Sequence, residues 1–469
     1  MLASRQKNSL GEDTLATTNV KFDNAGDGYD RADTKRRVKA ILTGSIGNLI
    51  EWYDIYCYAA FSLYFAASFF PKSDEATQTL NAAIVFAATF VLRPFGSIVF
   101  GLIADRIGRR AALMLSVFTM CFGALVIAVC PPYADIGIWA AVILVLARAL
   151  QSLSIGGEYG ASTTYLAEVS HPNRRGFYSG VWYTTLIGGQ LAAILVLFVL
   201  QQLLLTPDQL KLWGWRIPFA IGALLAAYAL YMRRNMPETE HFKEAKKQTA
   251  ASAKSTFATM GKYKWELLKV IGITIGGTSA FYTYTIYMQK FLKLSVKLSD
   301  NETTTVVAAY LIFAIILQPI YGAISDRVGR KPLLIFFGVM GVLCTWPLLT
   351  ALKSTTSAFT AFLIISFAWL IVSGYTSIAA IVKAELFPTS IRALGVGLPY
   401  ALTAAIVGGT VEPIGLALNK LAPDSLASLG GFTGDQLFYI YASALIFISL
   451  LVYLTLPDSK ATSKMELHS

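Results

Sequence analysis

The chain has 469 residues, 55% of them hydrophobic and 14% charged, with a formal net charge of +11. A soluble protein of this size needs more charge to cover its surface, so the balance excludes a globule in water. The positive charge is gathered in alternate loops between apolar runs, a topology signal that excludes nucleic acid as its reason.

In chain order, residues 1–37 are polar and lack the apolar stretch of a cleavable signal, so they are expected to be a disordered cytoplasmic tail. Six apolar spans follow at 38–69, 80–104, 111–130, 137–168, 176–205 and 217–236. Six more stand at 267–292, 303–325, 331–352, 357–386, 392–418 and 434–457. A bilayer core of about 30 Å needs roughly 20 such residues per helix. Residues 237–266 read as a polar linker and 458–469 as a second tail, leaving six-helix bundles at 38–236 and 267–457. The predicted fold class is an all-α polytopic membrane protein, with twelve transmembrane helices in two six-helix pseudo-repeats. Lys35, Arg36 and Arg37 precede the first span, Arg174 and Arg175 follow the fourth, and Lys243, Lys246 and Lys247 fill the linker. Pro131–Ile136 has no basic residue, so both termini are expected inside. Cys57, Cys121, Cys130 and Cys344 lack metal-ligand spacing and read as small core residues, so no metal or cofactor is expected.

The first span carries carboxylates at depth. Asn48, Glu51, Asp54 or Ile55, and Tyr58 recur three or four apart, which places them on one helical stripe. Asp54 lies 16 residues past Val38, about 24 Å along a helix axis. An unpaired charge there costs several kcal/mol or is neutralised. His171, His241 and His468 all fall outside the spans, so carboxylates must carry any proton across the midplane. Arg148 in the fourth span is the expected partner of Asp54. An arginine favours the charged carboxylate while paired, and separation favours proton uptake, which ties protonation to conformation. A fixed pair that orients helices is the bland alternative. Glu51 is an equal candidate for the proton, or the two carboxylates titrate as a set.

Arg93 stands midway along the second span with Thr89 and Ser97 on its face. Its planar guanidinium can hold a carboxylate by two hydrogen bonds, so it is the expected substrate anchor. An internal counter-ion for Glu51 or Asp54 is the other reading. Tyr58, Gln190 and the stripe Thr278, Tyr282, Thr285 and Gln289 supply neutral hydrogen-bonding groups. Lys290 adds a second cation or snorkels to the interface, and Lys383 reads as a snorkelling lysine. Trp52 and Tyr53 read as packing or belt residues, while Glu158 and Glu412 are left as cavity or packing groups.

The two halves repeat. GLIADRIGRRAAL at Gly101–Leu113 matches GAISDRVGRKPLL at Gly322–Leu334, aligning Asp105 with Asp326 and Arg109 with Arg330 at an offset of 221. Glu168 and Arg175 match Glu385 and Arg392 at an offset of 217. Two motifs at nearly one offset indicate a duplicated six-helix unit.

GLIADRIGRR resembles the loop signature of the major facilitator superfamily. EWYDIY, RPFGSIVFG, IGGEYG and WGWRIPFAIGA resemble its bacterial metabolite:proton symporters, and the likeness runs from about Lys35 to the end of the last span. YTTLIGGQLAA, YTYTIYMQKFL and KAELFPTSIRALGVGLPYA look most like members of that family that carry α-ketoglutarate. The resemblance implies secondary active transport in a bacterial inner membrane: proton-coupled uptake of a small dicarboxylate, with α-ketoglutarate expected. The partners implied are that carboxylate, protons and the lipid bilayer, and the chain is expected to be a monomer. The pairing of Asp54 with Arg148 resembles that of proton-coupled sugar porters. The superfamily likeness further implies salt bridges on the inner face among Asp105, Arg109, Glu168, Arg175 and Glu238, mirrored by Asp326, Arg330, Glu385 and Arg392. These would lock the halves when the cavity faces outward. A carrier of proline or betaine shares the motifs of the first and fourth helices and stands as the alternative. A nutrient sensor without transport is the more distant one. Neither a nucleophile elbow nor a P-loop occurs, so no enzymatic activity is expected.

Overall fold

The computed structural model describes residues 30–71, 73–106, 109–156, 158–233, 260–388, 391–421 and 431–463, and among these there is no strand. The first half holds α1 (Ile46–Phe69), α2 (Glu75–Phe90 and Arg93–Arg106), α3 (Arg109–Val129), α4 (Ile138–Ile155 and Glu158–Val169), α5 (Arg175–Val199) and α6 (Arg216–Arg233). The second holds α7 (Lys264–Tyr282, running on through turns to Ser295), α8 (Asp300–Val328), α9 (Lys331–Ser354), α10 (Ala358–Thr376 and Ala379–Ala384), α11 (Arg392–Thr403, then through to Asn419) and α12 (Gly434–Thr455). Together they form the twelve-helix plan that the repeat predicts.

Among the described residues, eight helices are long and apolar enough to cross a membrane, and a pair bent by 48° around Trp215 adds a ninth candidate. The first and seventh helices are not among them, because polar and aromatic residues lower their apolar content. Such residues inside a bilayer mark function by default. Lipid-facing positions are large and apolar: Val129, Leu224, Leu343 and Ile406 are all strongly exposed.

Several boundaries differ from the sequence reading: a helix over Arg31–Gly44 takes in residues 31–37, expected to belong to a disordered tail, and α7 begins at Lys264 rather than 267. α2 begins at Glu75 rather than 80, because the Asp74 carboxylate accepts from Thr77 N at 2.9 Å and starts the helix a turn early. α8 begins at Asp300 rather than 303, where Ser299 and Glu302 close a reciprocal capping box. α7 and α11 each contain wide π turns, Thr283–Tyr287 and Ala404–Gly408. Such turns re-aim side chains and often accompany functional sites.

The halves meet along α5 and α8, α1 and α7, and α2 and α11. Gly176 of α5 lies so close to Gly322 of α8 that a Cβ on Gly322 would stand 2.2 Å from the Gly176 carbonyl oxygen. No side chain larger than hydrogen fits there without moving the helices apart.

Candidate functional site

The buried polar groups of the first half centre on α1. Asp54 accepts from Arg148 Nη1 at 3.1 Å and from Gln151 Nε2 at 2.7 Å, and Arg148 Nη1 also donates to Gln151 Oε1 at 2.8 Å. Arg148 is fully buried and its guanidinium lies 4.5 Å from the Tyr58 ring centroid. Helix geometry puts Arg148 and Gln151 one turn apart on α4, so both face the same carboxylate. One turn before Asp54, Glu51 is buried within electrostatic range of Glu158, Arg93 and Asp54. Asn48 Nδ2 donates to Thr185 Oγ1 at 3.1 Å and ties α1 to α5.

Arg93 begins the second segment of α2, just past the break at Val91 and Leu92. It is 4% exposed, its guanidinium covers the Phe90 ring at 3.5 Å, and Nε and Nη2 have no hydrogen-bond partner. Leaving the donors of a buried guanidinium bare is costly, so an added acceptor would stabilise it. Around it stand aromatic groups: Phe90 packs edge-on to Tyr282 at 5.8 Å, and Trp52 lies 6.5 Å from Tyr282. The Tyr282 hydroxyl faces the Arg93 guanidinium, and both polar atoms of Gln190 are buried without a partner. Gly189 brings α5 onto the Leu49–Tyr53 backbone and so sets Gln190 beside the level of Glu51. Arg93, Glu51 and Tyr282 thus come together in one buried polar region, contributed by α2, α1 and α7, with Gln190 of α5 on the helix packed against α1.

The second half has its own buried pair. Lys290 Nζ stands 2.8 Å from Glu412 Oε1, and both side chains are essentially inaccessible. Lys290 also donates to the Ala59 carbonyl of α1, Gln289 Nε2 donates to Ala60 O at 3.3 Å, and Tyr56 OH donates to Thr285 O at 2.8 Å. Neither Lys290 nor Lys383 snorkels: both are fully buried, which corrects that reading of their amphipathic stems. Thr285 is turned onto its own helix, donating to Phe281 O. Tyr58 stands apart from Arg93, since its hydroxyl donates to Ala82 O at 2.9 Å and its ring stacks on Phe86.

Among the described residues, polar contacts join the two halves on both faces of the molecule. On the face that carries the described terminal segments, Asp326 accepts from Gly176 N and Phe177 N at 2.8 Å each, joining α8 to α5. Arg330 pairs with Asp326 at 2.9 Å and with Glu385 at 3.6 Å, and Arg175 lies within electrostatic range of Glu385. Arg392 Nε donates to Phe387 O at 3.3 Å. The tail adds to this cluster: Arg330 N donates to Asp458, Ser459 Oγ to Glu385, and Lys460 Nζ to the Asp326 carbonyl. On the opposite face Lys293 bridges Glu75 and Asp300 at 2.9 Å each, and Lys420 lies 3.4 Å from Asp74. The side chains of Asp105, Arg109 and Glu168, and the whole of Glu238, lie outside the described residues.

Sequence reasoning missed Gln151, although its spacing of three from Arg148 was the available signal. It also missed the match of Lys290 to Glu412, which no local pattern encodes because α7 and α11 meet only in the fold.

A profile of the family described as sugar (and other) transporter matches residues 40–261 and 240–469. The chain is 45% identical over 425 residues to the alpha-ketoglutarate permease of Escherichia coli (strain K12), covering 91% of this chain and 95% of that protein. It is 33% identical over 396 residues to a citrate-proton symporter of Klebsiella pneumoniae, covering 83% and 87%. The backbone follows the crystal structure of a D-xylose-proton symporter with a TM-score of 0.70 at 17% identity, over 90% of this chain and 99% of that one. That last likeness concerns the fold alone.

Proposed function

Because this chain belongs to the sugar (and other) transporter family and is a proton-coupled multi-pass transporter of the major facilitator superfamily, we propose that it imports a small dicarboxylate, α-ketoglutarate, with protons. Residues 38–236 and 267–457 act as the two rocking bundles, with 1–37, 237–266 and 458–469 in the cytoplasm of a bacterial cell whose inner membrane the chain spans as a monomer. It performs no catalysis.

One observation carries the substrate class: Arg93 is buried with Nε and Nη2 unpartnered in a region where Glu51, within electrostatic range, leaves those donors open. An incoming carboxylate supplies two acceptors in the plane of the fork. The division of labour follows from placement. Asp54 is already satisfied by Arg148 and Gln151 and so is suited to protons rather than substrate, whereas Arg93 waits for an anion. Rocking of the halves about the closed contacts at Asp326 and Lys293 alternates access to this region.

The test is uptake of labelled α-ketoglutarate into proteoliposomes under an imposed proton gradient, with citrate, succinate, proline and betaine as cold competitors. Gradient-dependent accumulation blocked by dicarboxylates and untouched by proline and betaine is expected. Competition by the zwitterions alone would overturn the substrate class.

A further inference from the structure

The most unusual cation in the molecule is Lys383, near the end of α10. It is fully buried, and its Nζ has no hydrogen-bond partner. Its near neighbours are two rings, Tyr159 of α4 at 5.0 Å and Tyr400 of α11 at 4.6 Å from their centroids. Those rings stack on each other, centroids 3.6 Å apart and planes 10° from parallel. An ammonium almost equally far from both members of such a stack lies beside it, not over either face. The ring quadrupole attracts cations over its face and presents its positive rim at the edge, so this geometry provides little cation–π stabilisation. A desolvated ammonium without an acceptor or an aromatic face lacks the compensation that buried charges otherwise have.

Its position says what completes it. Gly156 of α4 abuts the Arg93 carbonyl so closely that a Cβ there would fall 1.9 Å from the oxygen. Tyr159 follows three residues later, about 4.5 Å along a helix. Tyr400, on the other side of the stack, lies within electrostatic range of Arg93, Tyr282 and Glu51. Lys383 and Arg93 are therefore linked through the same two tyrosines. Tyr159 and Tyr400 are both partly exposed, so the stack borders open space. Lys290, the other buried lysine among the described residues of the second half, is already paired with Glu412.

We propose that Lys383 is the second anion anchor of the transport site, holding the distal carboxylate of the substrate while Arg93 holds the other. This rests on the dicarboxylate reading above and deepens it. The two anchors come from opposite halves, so a diacid draws the bundles together through its own length and a monoacid leaves Lys383 bare. Selection for two carboxylates is then set by the spacing of two cations with open donors, not by the shape of the pocket.

The experiment compares the wild type with Lys383→Met, binding α-ketoglutarate and 2-oxopentanoate, which has the same chain but no distal carboxylate. Lys383→Met is expected to weaken α-ketoglutarate about tenfold to hundredfold, as for loss of a charge-assisted bond, and to leave 2-oxopentanoate unchanged. Without ligand the variant should melt no lower than the wild type, since an uncompensated buried charge has been removed, and α-ketoglutarate should no longer raise its melting temperature. Equal weakening of both ligands, unchanged affinity for both, or a lower melting temperature without ligand would overturn the proposal. If Lys383→Met does not fold, Lys383→Gln is read by the same ratio of affinities. Wild-type protein that binds no dicarboxylate at all would instead overturn the substrate reading. Binding that survives at Lys383→Met but is lost at Arg93→Lys would sink only the second anchor.

Discussion

Lys290 and Glu412 stand 2.8 Å apart in the second half, as Arg148 and Asp54 stand 3.1 Å apart in the first, and all four side chains are buried. The pairs differ in what else they touch. Arg148 and Asp54 share Gln151 within one half, whereas Lys290 also reaches across the seam to the Ala59 carbonyl of α1. Opening the α1–α7 seam therefore strips Lys290 of one acceptor and leaves Glu412 as its remaining anchor.

Removing one member of a buried pair strands the other, at a cost of about 3–5 kcal/mol, whereas removing both is often close to neutral. Lys290→Met and Glu412→Gln are each expected to lower the melting temperature in detergent, and Lys290→Met with Glu412→Gln to recover most of the loss. A double variant no more stable than the worse single one would show that the two charges do not depend on each other.

Asp326 ties the halves through two backbone donors, Gly176 N and Phe177 N. Asp326→Asn keeps the shape but removes the charge and leaves one oxygen to accept. Loss of a charge-assisted bond of roughly 1.5–3 kcal/mol shifts a two-state equilibrium about tenfold to hundredfold. Spin labels at the exposed positions Asn173 and Arg327 should then report a longer distance on that face. An unchanged distance distribution would mean that Asp326 does not hold this face closed.

The fold was largely legible because lipid imposes one rule on every span, and the duplicated loop motifs at Asp105 and Asp326 disclosed the two halves. Helix starts at Glu75 and Asp300 were less visible, since a capping carboxylate or hydroxyl shifts the first turn without changing hydropathy. In the site, the stripe on α1 led directly to Asp54 and Glu51, for which helical periodicity suffices. Pairings between helices were legible only when both partners are rare in membranes, as with Asp54 and Arg148. Lys383 looked like an interfacial lysine because it lies near a helix end. Only the packing of Tyr159 against Tyr400 shows that its head never reaches the interface.

Closure of the opposite face should not follow the proton gradient. The Asp74 carboxylate is held down at about 2, first by the Thr77 hydroxyl and backbone N–H and then by Lys420. A carboxylate depressed in the folded state keeps its contribution above its ordinary range and loses it only as pH falls through that lowered value. Between pH 5 and 8 the Lys420 contact therefore stays intact. Labels at Ser73 and Asn301 should keep one distance distribution over that range, and a pH-dependent opening there would show that another group on this face titrates.

Proton coupling and substrate recognition should separate by mutation, because the structure satisfies Asp54 and leaves Arg93 open. Asp54→Asn keeps the shape and leaves one oxygen to accept from either Arg148 or Gln151, but cannot gain or lose a proton. Accumulation against a gradient should fail, while exchange of labelled for unlabelled substrate persists, since a loaded carrier can rock without releasing its proton. Arg93→Lys keeps a charge but loses the bidentate fork, so affinity should fall about tenfold to hundredfold with the pH dependence of the remaining transport intact. If Asp54→Asn still accumulates substrate with a normal pH profile, the proton is carried by Glu51, one turn earlier on the same stripe and close to Arg93. In that case substrate and proton would compete for the same guanidinium, and the two phenotypes would merge rather than part.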